Sequence, residues 1–197
     1  MIDDVRFVEL RRAFEQHSPI PAERYEGARE AAVALLLRAH DELELLLIKR
    51  AEQESDPWSG HVALPGGRRN RHDSDLLHTA LRETEEEVGI AVGRDLQLIG
   101  ALDEVSPRNP RLPPLIIAPF VFAVPNDTTP VIDTREVEAA IWVPLSALRD
   151  ESAASEILIT LETGQHAYPS LRYGDYVIWG LTHRILTSFL EITDAIG

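Results

Sequence analysis

Between residues 31 and 48 the chain turns apolar twice, over 31–37 and 43–48. Only Arg38-Ala39-His40-Asp41-Glu42 separates the two runs. Two apolar stretches of strand length around a short polar break predict a β-hairpin. Further apolar runs stand at 61–64, 96–102, 115–124 and 139–143. Pro65-Gly66-Gly67 stops the first of these, and Pro-rich loops at 107–114 and 125–130 punctuate the others. These segments predict strands of a mixed or antiparallel sheet. Helical spacing is confined to three places. Residues 3–17 set Val5, Phe7, Val8, Leu10 and Phe14 at mixed three- and four-residue intervals, residues 76–88 form a second helix, and residues 176–192 suit a helix packed on the sheet. The stretch 17–28 holds Ser18, Pro19, Pro21 and Gly27 and reads as a loop. Strands with a few helices, and no regular βαβ alternation, give an α+β class.

The chain has 197 residues, 44% of them hydrophobic, enough for one domain with its own core. No repeat or composition break divides it. The 33 acidic residues outnumber the 19 basic ones, for a net charge of −14. That balance argues against coating a nucleic acid, which needs a basic face, and against docking on an anionic membrane. Cysteine is absent, so disulfides, thiolate zinc sites and cysteine nucleophiles are excluded. MIDDVRFVELRRAF mixes charges through its apolar residues and reads as neither signal peptide nor anchor. No run approaches the ~18 apolar residues of a membrane span. A cytoplasmic protein is the expectation.

The acidic residues gather in one place. Within Arg82-Glu83-Thr84-Glu85-Glu86-Glu87-Val88, Glu83, Glu86 and Glu87 stand at i, i+3 and i+4. On a helix they share an arc of ~100°, which the spacing turns away from the Leu77, Leu81, Thr84 and Val88 stripe. Asp73, Ser74 or Asp75 is the expected cap at the start, and Gly89 the expected stop. Three carboxylates on one arc repel each other unless a cation joins them, and hard oxygen donors suit Mg2+ or Mn2+. The plain alternative is a solvated acidic face. Against it stand Arg82, positioned to pair with Glu86 one turn on, and Gly66-Gly67 upstream, a turn able to offer a backbone carbonyl. Glu85 projects off the arc.

Together these residues resemble the Nudix box, written G-x5-E-x7-R-E-U-x-E-E-x-G-U with U a bulky apolar residue. Arg82-Glu83, Glu86-Glu87 and Gly89-Ile90 match it at the required spacing. Counted back from Arg82, the first position falls on Arg68 instead of Gly, so the loop is one residue longer than usual. The upstream Glu position falls on Ser74, with Asp73 and Asp75 beside it, and Thr84 stands where an aliphatic residue is usual. The resemblance implies an α/β/α sandwich with a mixed sheet, one Nudix hydrolase domain over 1–197. Within it, 1–28 is an N-terminal helix and loop extension, and 66–90 is the box loop and helix. It implies Mg2+- or Mn2+-dependent hydrolysis of a nucleoside diphosphate linked to another group. It assigns Glu83, Glu86, Glu87 and the Gly66 carbonyl as metal ligands, with Arg82 orienting Glu83. A base or extra ligand from outside the box is expected at Glu136, with Glu138 and Glu104 as alternatives.

The likeness extends to the coenzyme A diphosphatase branch. Leu46-Leu47-Ile48-Lys49-Arg50, Gly60, Leu64-Pro65-Gly66-Gly67 and Tyr173-Gly174-Asp175-Tyr176-Val177-Ile178-Trp179-Gly180-Leu181-Thr182 are similar to its signatures. Two positions depart from the branch: Ala51 replaces a Ser, and its second Arg falls near Ser55-Asp56. Arg50, Arg68, Arg69 and Arg71 are the expected phosphate contacts. His72 and His78 flank the helix, where capping or surface roles are the commoner use. Trp58, Trp142 and Trp179 are candidates to stack a base, with core packing as the alternative for each. The resemblance thus implies a small nucleotide-diphosphate substrate, either coenzyme A or its esters, or ADP-ribose or another conjugate. A non-catalytic nucleotide-binding module is the competing class. A homodimer through the N-terminal helix or the hairpin stays open.

Overall fold

The computed structural model describes residues 4–52, 59–91, 96–107, 114–161 and 164–194. In chain order the elements are α1 (Val5–Gln16), β1 (Arg29–Ala39), β2 (Leu43–Arg50), β3 (Val62–Ala63), β4 (Gly66–Arg68), α2 (Leu76–Val88), β5 (Gln97–Ala101), β6 (Leu115–Ala123), β7 (Val137–Pro144), α3 (Leu145–Arg149), β8 (Ala154–Leu161), β9 (Gly164–Tyr173), β10 (Tyr176–Trp179) and α4 (Gly180–Asp194). The predicted hairpin forms, with β1 antiparallel to β2. β1 also pairs parallel with β6 along Arg29–Leu37 and antiparallel with β4, so the seven-stranded sheet is mixed.

Why the runs in β1 and β2 are apolar without alternation is clear from the layers. Leu35, Leu37, Leu45 and Leu47 face one side, where Phe7, Leu10 and Phe14 of α1 and Ile185, Leu186 and Phe189 of α4 cover them. Leu36, Leu46 and Ile48 face the other, against Val88 and the half-buried Leu77 and Leu81 of α2. A sheet covered on both faces needs apolar residues at both parities. This is the expected α/β/α layering within an α+β fold. Gly100 lets α1 come close: a Cβ there would lie 2.5 Å from the Phe14 ring.

Four expectations are corrected. Gly66–Arg68 is not a turn but a strand. Tyr176–Trp179 is β10, so the last helix begins at Gly180. β8, β9 and β10 make a second, three-stranded sheet that the apolar runs did not reveal. In α1, Val5 and Val8 are exposed, and Phe7, Leu10 and Phe14 alone form the buried stripe. No helix among the described residues is long and apolar enough to cross a membrane.

Candidate functional site

The helix α2 is bounded as its sequence predicts. The Asp75 carboxylate accepts from the His78 amide at its start, and Gly89 closes it in the left-handed region at φ 66°. Its acidic residues do not form a solvated face. Glu87 is 2% exposed, whereas the Glu86 side chain is 56% exposed and that of Glu83 14%. Ala80 and Glu87 lie about two turns apart on the helix and so share the face turned to the sheet. The expectation that all three carboxylates turn from the buried side is therefore corrected for Glu87.

β4 explains how buried carboxylates are tolerated. Gly66 stands opposite Val33 on β1, and Gly67 opposite Ala32. Ala34 N–H donates to Pro65 O and Arg69 N–H to Glu30 O. In an antiparallel ladder these bonds fall on alternate pairs, so the N–H and C=O of Gly66 point away from β1. The Gly66 N–H donates to Glu87 Oε2 at 2.8 Å, and the Gly66 carbonyl lies on the same edge. Gly66 is required by space, and Gly67 makes room for the Glu83 carboxylate. A Cβ on Gly66 would come 2.3 Å from Ala32 O, and one on Gly67 would come 2.3 Å from the Glu83 carboxylate. We expect Gly67→Ala to displace Glu83 and lower kcat about a hundredfold, the cost of roughly 1 Å of misplacement. The thermal midpoint should move little. Wild-type turnover in this variant would remove Glu83 from the chemistry.

Arg82 is the hub. Its Nε and Nη2 grip Asp73 Oδ1 and Oδ2 at 2.9 and 3.0 Å. Nη1 donates to Glu86 at 2.8 Å, and Nη2 also reaches Glu83 at 2.8 Å and Arg68 O at 3.1 Å. The side chain of Asp73 is fully buried and also takes bonds from Thr79 and the Asn70 amide. Hydrogen bonds from Arg82 hold it well below the usual carboxylate range against the opposing cost of burial. Asp73, and not Ser74, thus meets the arginine. Counting forward from Gly67 instead of back from Arg82 would have found it, because the extra residue lies after Asp73.

Burial pushes Glu87 up to about 8, with the Gly66 bond and Arg50 opposing and Glu83 and Glu136 adding repulsion. Burial likewise raises Glu83, Arg82 opposes, and Glu86 and Glu136 raise it further. Glu136 lies next to Arg50 along the sheet, since the Ala51 N–H donates to the Glu136 carbonyl at 2.9 Å. The other two outside candidates are engaged elsewhere. Glu138 pairs with Lys49 at 2.7 Å, and Glu104 is held by Arg24 and the Ala22 amide.

Arg50 Nη1 approaches Glu87 Oε1 at 3.7 Å, which places it at the site. Arg68, the last residue of β4, and Arg71, in the loop that follows, are exposed. Arg69, expected as a phosphate contact, is exposed and braces the segment after β4, donating to Glu30 at 2.8 Å and Ser74 O at 2.9 Å. His72 and His78 serve loop and cap hydrogen bonds. Trp142 packs in the α2-side cluster with the Arg38 guanidinium 4.3 Å over its ring. Trp58, Ser55 and Asp56 lie outside the described residues.

The donor set fits a hard divalent cation: carboxylates of graded burial that repel one another, beside an outward backbone carbonyl. Among the described residues no three acidic or imidazole side chains converge on one ion-sized point as they stand. Arg82 holds Glu83 and Glu86, while Gly66 and Arg50 hold Glu87. Charge on this face is met internally by arginine, and a metal would compete for the same oxygens.

Residues 27–161 match the NUDIX domain family. Nudix hydrolase 15, mitochondrial, of Arabidopsis thaliana is 33% identical over 177 residues, covering 87% of this chain and 60% of that protein. An uncharacterized Nudix hydrolase NudL of Photorhabdus laumondii is 30% identical over 174 residues, covering 88% of this chain and 90% of that one. The chain spans about a third to three fifths of the length of the first curated relatives it matches. Among solved structures, a MutT/nudix family protein from Enterococcus faecalis superposes with TM-score 0.58 at 19% identity, covering 95% of this chain and 69% of that one.

Proposed function

The chain belongs to the Nudix family, and from that premise we propose that it is a divalent-metal-dependent pyrophosphohydrolase that cleaves the diphosphate of a nucleoside diphosphate derivative. The observation that carries the reading is the Gly66–Glu87 bond, which fixes a buried carboxylate beside an outward carbonyl, with Glu83 seated over Gly67.

Glu83, Glu86, Glu87 and the Gly66 carbonyl are the groups that would hold Mg2+ or Mn2+. Such an ion, when bound, neutralises the diphosphate and lowers the pKa of a water. Arg82, itself anchored by Asp73, orients Glu83 and keeps Glu86 on the same flank. Arg50, Arg68 and Arg71 bind the substrate's phosphate oxygens. Glu136 takes the proton of the attacking water. The water oxygen bonds to one phosphorus, the bridging P–O bond breaks, and two phosphate monoesters leave.

Coenzyme A or its esters lead the substrate classes, because the segments around Arg50, Gly66 and Trp179 resemble that branch. ADP-ribose and other conjugates follow. With Mg2+ or Mn2+, purified protein should release a nucleotide from at least one of coenzyme A, ADP-ribose, NADH, a dinucleoside polyphosphate or a nucleoside triphosphate. Binding without product from any of them would make it a non-catalytic nucleotide module. Glu136→Gln should lower kcat by about 10²–10⁴, the usual worth of a general base. Glu138→Gln, which loses only its Lys49 partner, should stay within a few-fold of wild type. The reverse order would move the base from Glu136 to Glu138.

A further inference from the structure

The β2–β3 register carries the site's surface outward. Ile48 pairs with Ala63 and Lys49 with Val62. The Arg50 N–H then donates to His61 O at 3.0 Å, which sets Arg50 and His61 opposite each other. Residues directly opposite in a ladder share a face of the sheet, with Cβ atoms about 5 Å apart. That face is the one covered by α2, since Ile48 and Ala63 pack in the α2-side cluster and Arg50 reaches Glu87. His61 therefore stands one cross-strand step from the arginine beside the catalytic carboxylate.

From His61 the row continues across to the second sheet. The Trp179 ring of β10 meets the His61 ring edge-on, with centroids 4.9 Å apart and planes at 64°. Tyr168 of β9 lies 6.2 Å beyond, tilted at 50°. All three residues are half-buried. The half-buried Trp142 differs in carrying the Arg38 guanidinium 4.3 Å over its ring. Trp179 and Tyr168 also lie beyond residue 161, where the match to the family ends. The row thus joins the second sheet, which carries Trp179 and Tyr168, to His61 beside β3 of the first.

We propose that Trp179 and Tyr168, with His61 propping the Trp179 ring, form the platform on which the nucleobase of the substrate stacks. The proposal rests on the hydrolase reading for the position of the phosphates. With the diphosphate at Glu83, Glu87 and Arg50, the ribose spans the step past Arg50 and sets the base against the aromatic row. Aromatic faces suit any base, because every base has a π-face and desolvates well against a ring.

The test uses nucleoside monophosphates, which hold no diphosphate to cleave, and calorimetry with the full chain and Mg2+. AMP, GMP, CMP and UMP are the probes, and ribose 5-phosphate is the base-free control. Trp179→Ala and Tyr168→Ala should each weaken the tightest of the four about tenfold, within the range measured for base–aromatic stacking. Ribose 5-phosphate should bind these variants as it binds wild type. Trp179→Phe, which keeps a ring, should retain most of the affinity and reports on folding. Unchanged monophosphate affinity in Trp179→Ala, an equal loss for ribose 5-phosphate, or no monophosphate binding by wild type would each overturn the platform. The two readings separate cleanly. Trp179-dependent binding in a protein with no turnover sinks the hydrolase reading alone. Turnover whose KM ignores Trp179→Ala sinks the platform alone.

Discussion

Glu87→Gln should lower kcat on the order of a thousandfold while leaving the thermal midpoint of the metal-free protein unchanged or raised. Even partners one step removed from a metal ligand typically cost about 10–100-fold, so loss of a ligand oxygen's charge should cost more. The fold should not notice, because the Gln side-chain oxygen can still accept the Gly66 N–H that Glu87 Oε2 accepts at 2.8 Å. The substitution also removes a buried charge that Glu83 and Glu136 repel. Arg50 loses a partner but is half-buried and can turn toward water. The thermal shift on adding Mg2+ or Mn2+ should disappear with the activity. Near-normal turnover would take Glu87 out of the metal set. A collapse of the midpoint would make its role structural.

Asp73→Asn should have the opposite signature, a large loss of stability with activity following. The Asp73 side chain is fully buried and grips both Nε and Nη2 of Arg82. Breaking a buried charge pair by removing one partner costs about 3–5 kcal/mol, or roughly 10 °C in midpoint for a chain of this size. The pH dependence has a definite sign. Arg82 depresses the folded-state value of Asp73 below that of a free carboxylate. Its stabilisation is therefore complete above the unfolded value, about pH 4, and drains away as pH falls toward the depressed one. The gap in midpoint between wild type and Asp73→Asn should hold from neutrality to about pH 5 and narrow in acid. A gap independent of pH, or none at neutrality, would show that the pair does not anchor Arg82.

These two residues show where reading a sequence succeeds and where it stops. The spacing of Arg82, Glu83, Glu86 and Glu87 is local to one helix, and helical geometry alone puts them on one flank. Which of them is buried is not local. Glu87 is enclosed because β4 runs against α2, and β4 exists because Gly66 and Gly67 have no side chains to hold it off. Asp73 was hidden by one extra residue between it and the helix. Glu136, Glu138 and Glu104 look alike in sequence. They are separated only by their neighbours, since Lys49 and Arg24 come from distant segments.

The hairpin of β1 and β2, the α2 boundaries and the acidic arc were determined by the sequence itself, because two apolar runs around a polar break, the helical spacing of the carboxylates, Asp75 and Gly89 act within a few residues. The second sheet, the parallel pairing of β1 with β6, and the row from Arg50 through His61 to Trp179 were decided only by tertiary structure. Each joins segments far apart in the chain, and no local propensity encodes which strand edge a distant segment will meet. Glu87 belongs to both accounts: helix geometry assigns its flank, and the approach of Gly66 to Glu87 makes a surface carboxylate into a buried one.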